Sequence, residues 1–148
     1  SSDYVRCVLQ TGEGTVWVGN AVGLDRWREG TISRVSLSPS EGERVLEQSV
    51  LALADAGDGG VWAGTYSQGV VRLDAQGHVL VRIGAADGLP SMSVRAVLPD
   101  GDDLWIGSTA GLVRWRNGKV MRIAIAMSRP AAAAAKPANR WRMCGSSW

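Results

Sequence analysis

His78 is the only histidine of this 148-residue sequence, and it lies in the segment DAQGHV. A catalytic histidine needs a nucleophile and an orienting group, and a metal-binding histidine needs partner ligands. No such set of residues can be assembled around His78. We therefore interpret it as a solvated hairpin residue, and we predict no catalytic residue and a non-enzymatic protein.

Stretches rich in glycine and aspartate are the next candidates, for phosphate or calcium. GEGTVWVG (12–19) lacks the Lys-Ser/Thr pair and the following helix of a phosphate loop. DAGDGG (55–60) and DGDD (100–103) lack the spaced oxygen ligands and terminal Glu of a calcium loop. Their composition is typical of turns. We therefore predict no cofactor and no metal.

The two cysteines, Cys7 and Cys144, have neither metal-site spacing nor the numbers of a disulfide framework. Cys7 lies in an apolar stretch, which predicts a buried free thiol.

Charge is distributed unevenly along the chain. Residues 124–148 contain four basic residues and no acid, whereas residues 1–123 contain 12 basic and 14 acidic residues, a net charge of −2. The body therefore lacks the basic surface that nucleic-acid binding requires. No run of about 18 apolar residues predicts a membrane segment. The opening SSDY, without a signal-peptide pattern, is typical of a processed or excised segment.

The elements that position these residues belong to a repeat. GTVWVGNAVGLDRW (14–27), GGVWAGTYSQGVVRL (59–73) and DDLWIGSTAGLVRW (102–115) align on tryptophans 45 and 43 residues apart. An apolar segment precedes each, and a period of this size indicates a propeller or a solenoid. The aligned residues are Trp17, Trp62 and Trp105, then Gly19, Gly64 and Gly107, and then Arg26, Arg72 and Arg114.

Each unit reads as four short strands separated by turn residues. In the third unit they are expected at about 94–98, 104–108, 112–116 and 119–125, with the Asn-Gly pair at 117–118 as the strongest hairpin signal. Four antiparallel strands in this length form one blade of a β-propeller. We therefore predict an all-β propeller fragment with three four-stranded antiparallel blades, at about 1–36, 46–83 and 90–125.

The repeated residues are predicted to be structural. The tryptophans would fill the space between blades, and the glycines would let the neighbouring sheet approach. The repeated arginines would lie across an aromatic ring or pair with an acidic turn. Alternatively, the repeated arginines would form a ring of cations around an anionic ligand.

Polar residues that do not repeat are the better candidates for ligand binding. The turns between second and third strands and the loops between blades share one end of a propeller, where ligands usually dock. Tyr66 stands out because it breaks the repeat, and its ring would suit a stacked sugar or peptide. Arg6 and Arg95 occupy equal positions on innermost strands and are expected at the channel mouth. The other candidates are Asn20, Ser67, Gln68, Asp87, Ser91 and Ser93.

Residues 126–148 contain Pro, five consecutive alanines and no strand period. We predict a disordered or aberrant tail there, from truncation or a frame shift.

Residues 87–123, DGLPSMSVRAVLPDGDDLWIGSTAGLVRWRNGKVMRI, resemble the two-component regulator propeller repeat. That repeat has a GLP loop, an apolar strand, an Asp/Gly turn, LWIGT, then GL and a DG-type hairpin. The first two units match more loosely. The resemblance implies three repeats of an apparently truncated sensor propeller from the periplasmic part of bacterial hybrid histidine kinases or diguanylate cyclases. Such propellers serve ligand sensing, often of carbohydrates, and dimerisation.

The hypothesis is therefore a fragment of the ligand-sensing domain of a two-component protein. Its expected partners are a small molecule or carbohydrate, and the remaining blades or another copy of the chain. One alternative is an enzyme similar to streptogramin lyases, whose chemistry uses a histidine. The other is a purely structural interaction module.

Overall fold

Residues 3–38 and 48–124 are described by the computed structural model, and they form three four-stranded antiparallel sheets. In every sheet the strands follow one another in chain order, so each is a simple meander. The first contains β1 (Val5–Gln10), β2 (Val16–Asn20), β3 (Gly23–Arg28) and β4 (Thr31–Val35). The second contains β5 (Val50–Asp55), β6 (Val61–Thr65), β7 (Val70–Leu73) and β8 (Val79–Ile83). The third contains β9 (Val94–Asp100), β10 (Asp103–Ser108), β11 (Gly111–Arg116) and β12 (Lys119–Ile123).

This architecture confirms the predicted all-β fold with three propeller blades. The strands of the third blade begin and end within two residues of their expected limits. The predicted tail, 126–148, lies outside the described residues.

Turn residues determine where the outer hairpins reverse. Asn117 and Gly118 have φ values of 50° and 78°, which is the pair of positive values that a two-residue type I′ turn requires. Glu29 and Gly30 adopt nearly the same values in the first blade, at 50° and 82°. The Asn-Gly pair was recognisable from sequence, whereas the Glu-Gly turn was not because glutamate rarely adopts a positive φ.

The hydrophobic core consists of two clusters, each formed between consecutive blades. Trp17 and Leu24 of the first blade pack with Val61, Val71 and Leu73 of the second. The second cluster likewise joins Trp62 and Val70 to Leu104, Ile106 and Val113 of the third blade. The first strands of consecutive blades, β1 with β5 and β5 with β9, also contact each other. These strands are therefore the innermost ones around a common axis.

Residues between the blades complete both clusters. Leu37 and Leu89 are buried, one in each cluster. The Arg82 guanidinium donates a hydrogen bond to the Leu37 carbonyl, which fixes the segment after β4 against the second blade. Leu89 belongs to the GLP loop, whereas Leu37 belongs to the linker that lacks this sequence.

Two glycines let the blades approach each other. A Cβ atom built on Gly19 would lie 2.8 Å from Cγ1 of Val50, and one on Gly64 would lie 2.8 Å from Cγ1 of Val94. Both distances are shorter than a van der Waals contact allows, so neither position has space for a side chain. Each valine is the first residue of the next innermost strand.

The third tryptophan is not enclosed as the sequence pattern predicts. Trp17 and Trp62 are buried between blades, whereas Trp105 is half-buried. The space beside Gly107 differs too, because a Cβ atom there would meet only Ala96 of its own blade, at 3.3 Å. No described residue supplies a following blade, so this sheet lacks the cover that the other two have.

No helix among residues 3–38 and 48–124 has the length and apolar character needed to cross a bilayer.

Candidate functional site

One end of the three blades collects most of the predicted binding residues. The innermost strands begin at this end, and the turns joining β2 to β3, β6 to β7 and β10 to β11 lie beside them. A repeated hydrogen bond ties each turn to the residue before the innermost strand: Ala21 N–H to Tyr4 O, Tyr66 N–H to Ser49 O, and Thr109 N–H to Ser93 O, at 2.9–3.2 Å. The turns are therefore held at the beginning of the innermost strands.

Each innermost strand contains a β-bulge at the same position. The pairing of β1 with β2 shifts between Val5 and Cys7, so Arg6 is the unpaired residue. Leu51 is unpaired in β5, between Val50 and Ala52, and Arg95 is unpaired in β9, between Val94 and Ala96. A bulge redirects the side chain of its extra residue. The three bulges thus place Arg6, Leu51 and Arg95 at equivalent positions around the axis.

These three side chains line one pocket, together with Tyr4 and Val5. The pocket has a volume of about 400 Å³, and we call it the mouth pocket. The Arg6 guanidinium carbon lies 5.1 Å from the centre of the Tyr4 ring, a cation–π contact. Arg6 and Arg95 are exposed, and within the described residues neither forms an ion pair with a carboxylate.

The turn after β6 is rigid at its base and exposed at its tip. Buried Thr65 accepts a hydrogen bond at Oγ1 from the Gln68 N–H, and the Gly69 N–H donates to the Met92 carbonyl. Tyr66 is 52% exposed, Ser67 is exposed and Gln68 is half-buried. The structure therefore presents these three predicted residues on a supported turn at the mouth end.

Asp87 and the loop serines are involved in local structure. The Asp87 carboxylate accepts a hydrogen bond of 2.9 Å from the Gly84 N–H at the start of a short 3-10 helix, Ala85–Asp87. The Ser91 hydroxyl lies 2.7 Å from that of Thr109. The hydroxyl of Ser93 is buried with no hydrogen-bond partner among the described residues. Asp87 remains exposed and can still face a ligand.

Asn20 has a different role from the loop contact that was predicted. It is fully buried, its amide nitrogen donates to Asp25 at 2.8 Å, and its carbonyl oxygen accepts from the Val22 N–H at 3.0 Å. Asp25 also accepts a 2.6 Å hydrogen bond from Arg34. Asp25 occupies the position of Val71 and Val113 in the other blades. This cluster was not predicted from the sequence, although an Asp at a position that is apolar in the other two repeats is a visible signal.

The opposite end of the blades holds the acidic turns and His78. Asp55 and Asp58 accept hydrogen bonds from the N–H groups of Gly57 and Gly60, and Asp58 pairs with Arg72 at 2.7 Å. The His78 side chain is 77% exposed, with Nδ1 at 3.2 Å from Asp74 Oδ2. No group of metal-binding side chains occurs in the part of the chain that the structure describes. These residues form turns, and His78 is far from the mouth pocket in the fold.

The repeated arginines support the tryptophans. Arg26, Arg72 and Arg114 lie 6.0, 5.4 and 5.9 Å from the ring centres of Trp17, Trp62 and Trp105. Arg26 also donates to the Ala75 carbonyl of the next blade, at 2.8 Å. Arg26 and Arg72 lie on sheet faces between blades, and Arg114 lies on the uncovered face of the third blade; all three lie across a tryptophan ring, as the scaffold interpretation predicted.

Cys7 is a free thiol, as predicted, but it is half-buried rather than buried, with Sγ 3.8 Å from the Val50 carbonyl oxygen of the next innermost strand. Its burial, opposed by a backbone hydrogen bond from Gly19 and by the charge of Arg6, raises the pKa of the thiol to about 11. A thiol with this pKa is almost entirely protonated at neutral pH and is a poor nucleophile.

Comparison with known proteins identifies the repeat and the fold. Residues 88–110 match the family described as two component regulator propeller. No curated protein matches this chain in sequence. Among solved structures, the extracellular domain of BT3049 from B. thetaiotaomicron, assigned as a hybrid two component system, superposes with a TM-score of 0.64 at 18% identity. The alignment covers 86% of this chain and 18% of that one.

Two further structures have the same fold. The extracellular domain of BT4673 from B. thetaiotaomicron, also assigned as a hybrid two component system, has a TM-score of 0.64 at 20% identity, covering 81% of this chain and 15% of that one. PorZ of Porphyromonas gingivalis, a surface component of the type-IX secretion system, has a TM-score of 0.58 at 17% identity, covering 76% and 17%. This chain spans less than a fifth of each.

The family match falls on the third repeat, and the structural matches extend over all three blades. Residues 88–110 therefore match the two-component regulator propeller repeat, and the three blades have the fold of part of these extracellular propeller domains.

Proposed function

We propose that this chain is part of the ligand-sensing propeller of a bacterial two-component protein, located in the periplasm and without catalytic activity of its own. The observation that carries the proposal is the mouth end of the blades, where bulged innermost strands and a supported turn present Arg6, Arg95, Tyr66 and Gln68 together. The family match in the third repeat and the extracellular domains with the same fold support the sensor context.

A ligand at the mouth end is tested by hydrogen exchange. A panel of neutral and acidic oligosaccharides is first screened for a shift in the unfolding temperature. With a saccharide that raises this temperature, we expect slower amide exchange at 66–69 and at the beginnings of β1, β5 and β9. Changes confined to the acidic turns, 55–60 and 100–103, would contradict the proposed location.

A matched pair of variants tests whether the saccharide contacts the mouth end. Tyr66→Ala removes an exposed ring at the mouth end and should weaken saccharide binding by about fivefold, since one aromatic contact contributes about 1 kcal/mol. Gln76→Ala changes a turn at the opposite end and should leave binding unchanged. If no saccharide binds, a structural interaction module becomes the better account.

The partner we propose at the blade faces is a second copy of the chain. The third blade presents a largely apolar groove of about 480 Å³, which we call the trailing face. It is lined by Ala96, Val97, Leu98, Asp100, Trp105, Gly107 and Leu112. Its equivalents on the first two blades contact the following blade. The first blade presents the complementary leading face: Val5, Val8, Val16, Val18 and Trp27.

Exposure and position both favour this pairing. Val8 is 61% exposed and Leu98 is 56% exposed, which is unusual for clustered apolar side chains. Val5 has the position of Val50 and Val94, the valines that fit against Gly19 and Gly64. Val5 of one copy is therefore expected beside Gly107 of another, which has room for it.

A further inference from the structure

The mouth pocket is lined by two arginines from different blades, by Leu51 from the blade between them, and by Tyr4 and Val5 at the beginning of β1. Arg6 belongs to the first blade, Leu51 to the second and Arg95 to the third. Because β1, β5 and β9 are neighbours, the three residues form an arc around one volume. A ligand in that volume would contact all three blades.

Charge distinguishes this pocket from the rest of the surface. Residues 1–123 carry a net charge of −2, and most described arginines are engaged by carboxylates, carbonyls or tryptophan rings. The lining of the mouth pocket contains two guanidinium groups and no carboxylate. Two like charges brought together without a counterion repel each other, so an anion there would relieve the repulsion.

Geometry indicates that the arrangement is built into the fold. The bulge recurs in all three innermost strands, and Arg6 and Arg95 are its extra residues in two of them. The Arg6 guanidinium also packs on the Tyr4 ring, which limits its conformational freedom. The bulges therefore place an arginine at the same position of the repeat in the first and third blades, and Leu51 at that position in the second blade.

We propose that the mouth pocket binds an anionic sugar through its carboxylate, with Arg6 and Arg95 as the cationic contacts. Guanidinium groups pair with carboxylates through two parallel hydrogen bonds, which gives this chemistry its specificity. A volume of about 400 Å³ is in the range of small-molecule sites. The proposal rests on the ligand-sensing function proposed above and specifies the class of ligand.

Calorimetric titration of the full chain tests this with digalacturonate and with galactobiose, its neutral counterpart, as probes. We expect digalacturonate to bind at least about tenfold more tightly, because a hydrogen bond to a charged group contributes about 1.5–3 kcal/mol. The difference should shrink as the salt concentration rises. Sodium sulfate, titrated separately, distinguishes recognition of a sugar carboxylate from binding of any oxyanion.

Three variants locate the site. Arg95→Gln should weaken digalacturonate binding by about tenfold or more, whereas Arg28→Gln, which removes the same charge at the opposite end of the blades, should not. Leu51→Arg adds a third cation at the equivalent position and should tighten binding. Circular dichroism and the unfolding temperature show that each variant is folded.

The outcomes are distinct. Equal binding of the two disaccharides, sulfate binding as tight as that of digalacturonate, or equal effects of Arg95→Gln and Arg28→Gln would overturn the anionic-sugar site. So would failure of digalacturonate to bind. In each case the ligand-sensing function stands if a neutral saccharide slows exchange at 66–69, and it fails with the site if no saccharide of the panel binds.

Discussion

Gly19 and Gly64 show how a single residue type determines the spacing of the blades. Each faces a valine of the next innermost strand, at a distance that excludes a side chain. Gly107 has the same position in the repeat but no such neighbour among the described residues. The three glycines are equal in sequence and unequal in surroundings.

Alanine at these glycines should therefore have unequal effects. Gly64→Ala should reduce the free energy of unfolding by about 1–3 kcal/mol, because the added methyl group forces Val94 away. Gly107→Ala meets only Ala96, at 3.3 Å, and should cost less. Urea denaturation of both variants measures this difference, and equal losses would show that the blades are not spaced by Gly64.

Cys7 should be unreactive at neutral pH. With a thiol pKa of about 11, alkylation by iodoacetamide should be slow in the folded chain and fast after unfolding. A Cys144→Ser background leaves Cys7 as the only thiol. Because the pKa is raised in the folded state, Cys7 stabilises the fold below the ordinary thiol pKa of 9.0, and this contribution decreases as the pH rises toward 11. Rapid alkylation of the folded chain at neutral pH would contradict the raised pKa of the Cys7 thiol.

At the scale of the blade, the burial of each tryptophan depends on whether a following blade is present. Trp17 is fully buried against the second blade, and Trp105 lines the open groove of the third. The sequence pattern alone predicts the same large cost for replacing either, since the two positions are identical in the repeat. In the structure, the stability cost of replacing a tryptophan depends on whether a following blade covers it.

Trp17→Ala should reduce the free energy of unfolding by about 3–5 kcal/mol, the usual cost of deleting a buried tryptophan. Trp105→Ala should cost less at protein concentrations where the chain is monomeric, because much of its surface is already hydrated. Denaturation of both variants at low concentration makes the comparison. A larger loss for Trp105→Ala would mean that its face is covered.

The sequence was sufficient to predict the strands and turns but not to predict which of their side chains are buried. Strand positions, the Asn-Gly hairpin and the repeat followed from apolar runs, turn chemistry and the spacing of the tryptophans. Local patterns do not encode which faces meet, so the half-burial of Trp105 and the role of Leu37 did not follow. Asn20 was misread as a loop residue because its partners, Asp25 and Arg34, become neighbours only once three strands pair.

The residues at the mouth end were predicted in outline. The position of the loops followed from propeller topology, and the equivalence of Arg6 and Arg95 followed from the repeat. The bulges that place them in one pocket with Leu51 and Tyr4 could not be read from sequence, because a bulge depends on cross-strand register.

At the scale of the whole molecule, the described residues, 3–38 and 48–124, form an arc of three blades with two interblade interfaces and two apolar end faces. Propellers generally contain about four to eight blades, which enclose all sheet faces. In this arc the trailing face of the third blade has the same design as the trailing faces that are covered inside. The leading face of the first blade differs from the other two leading faces at Asp25, which pairs with Arg34 where the other blades have Val71 and Val113. Complementary surfaces of this kind on one chain favour head-to-tail association.

The mass of the folded chain in solution tests most directly whether these blade faces are interaction surfaces. Size-exclusion chromatography with light scattering should give a mass above the 15.7 kDa of one chain, increasing with concentration. Trp105→Glu and Val8→Glu, one on each face, should each return the chain to a monomer, whereas Lys119→Glu on an outer hairpin should not. A stable, folded monomer of 15.7 kDa at every concentration would contradict the proposed complementarity of the two faces.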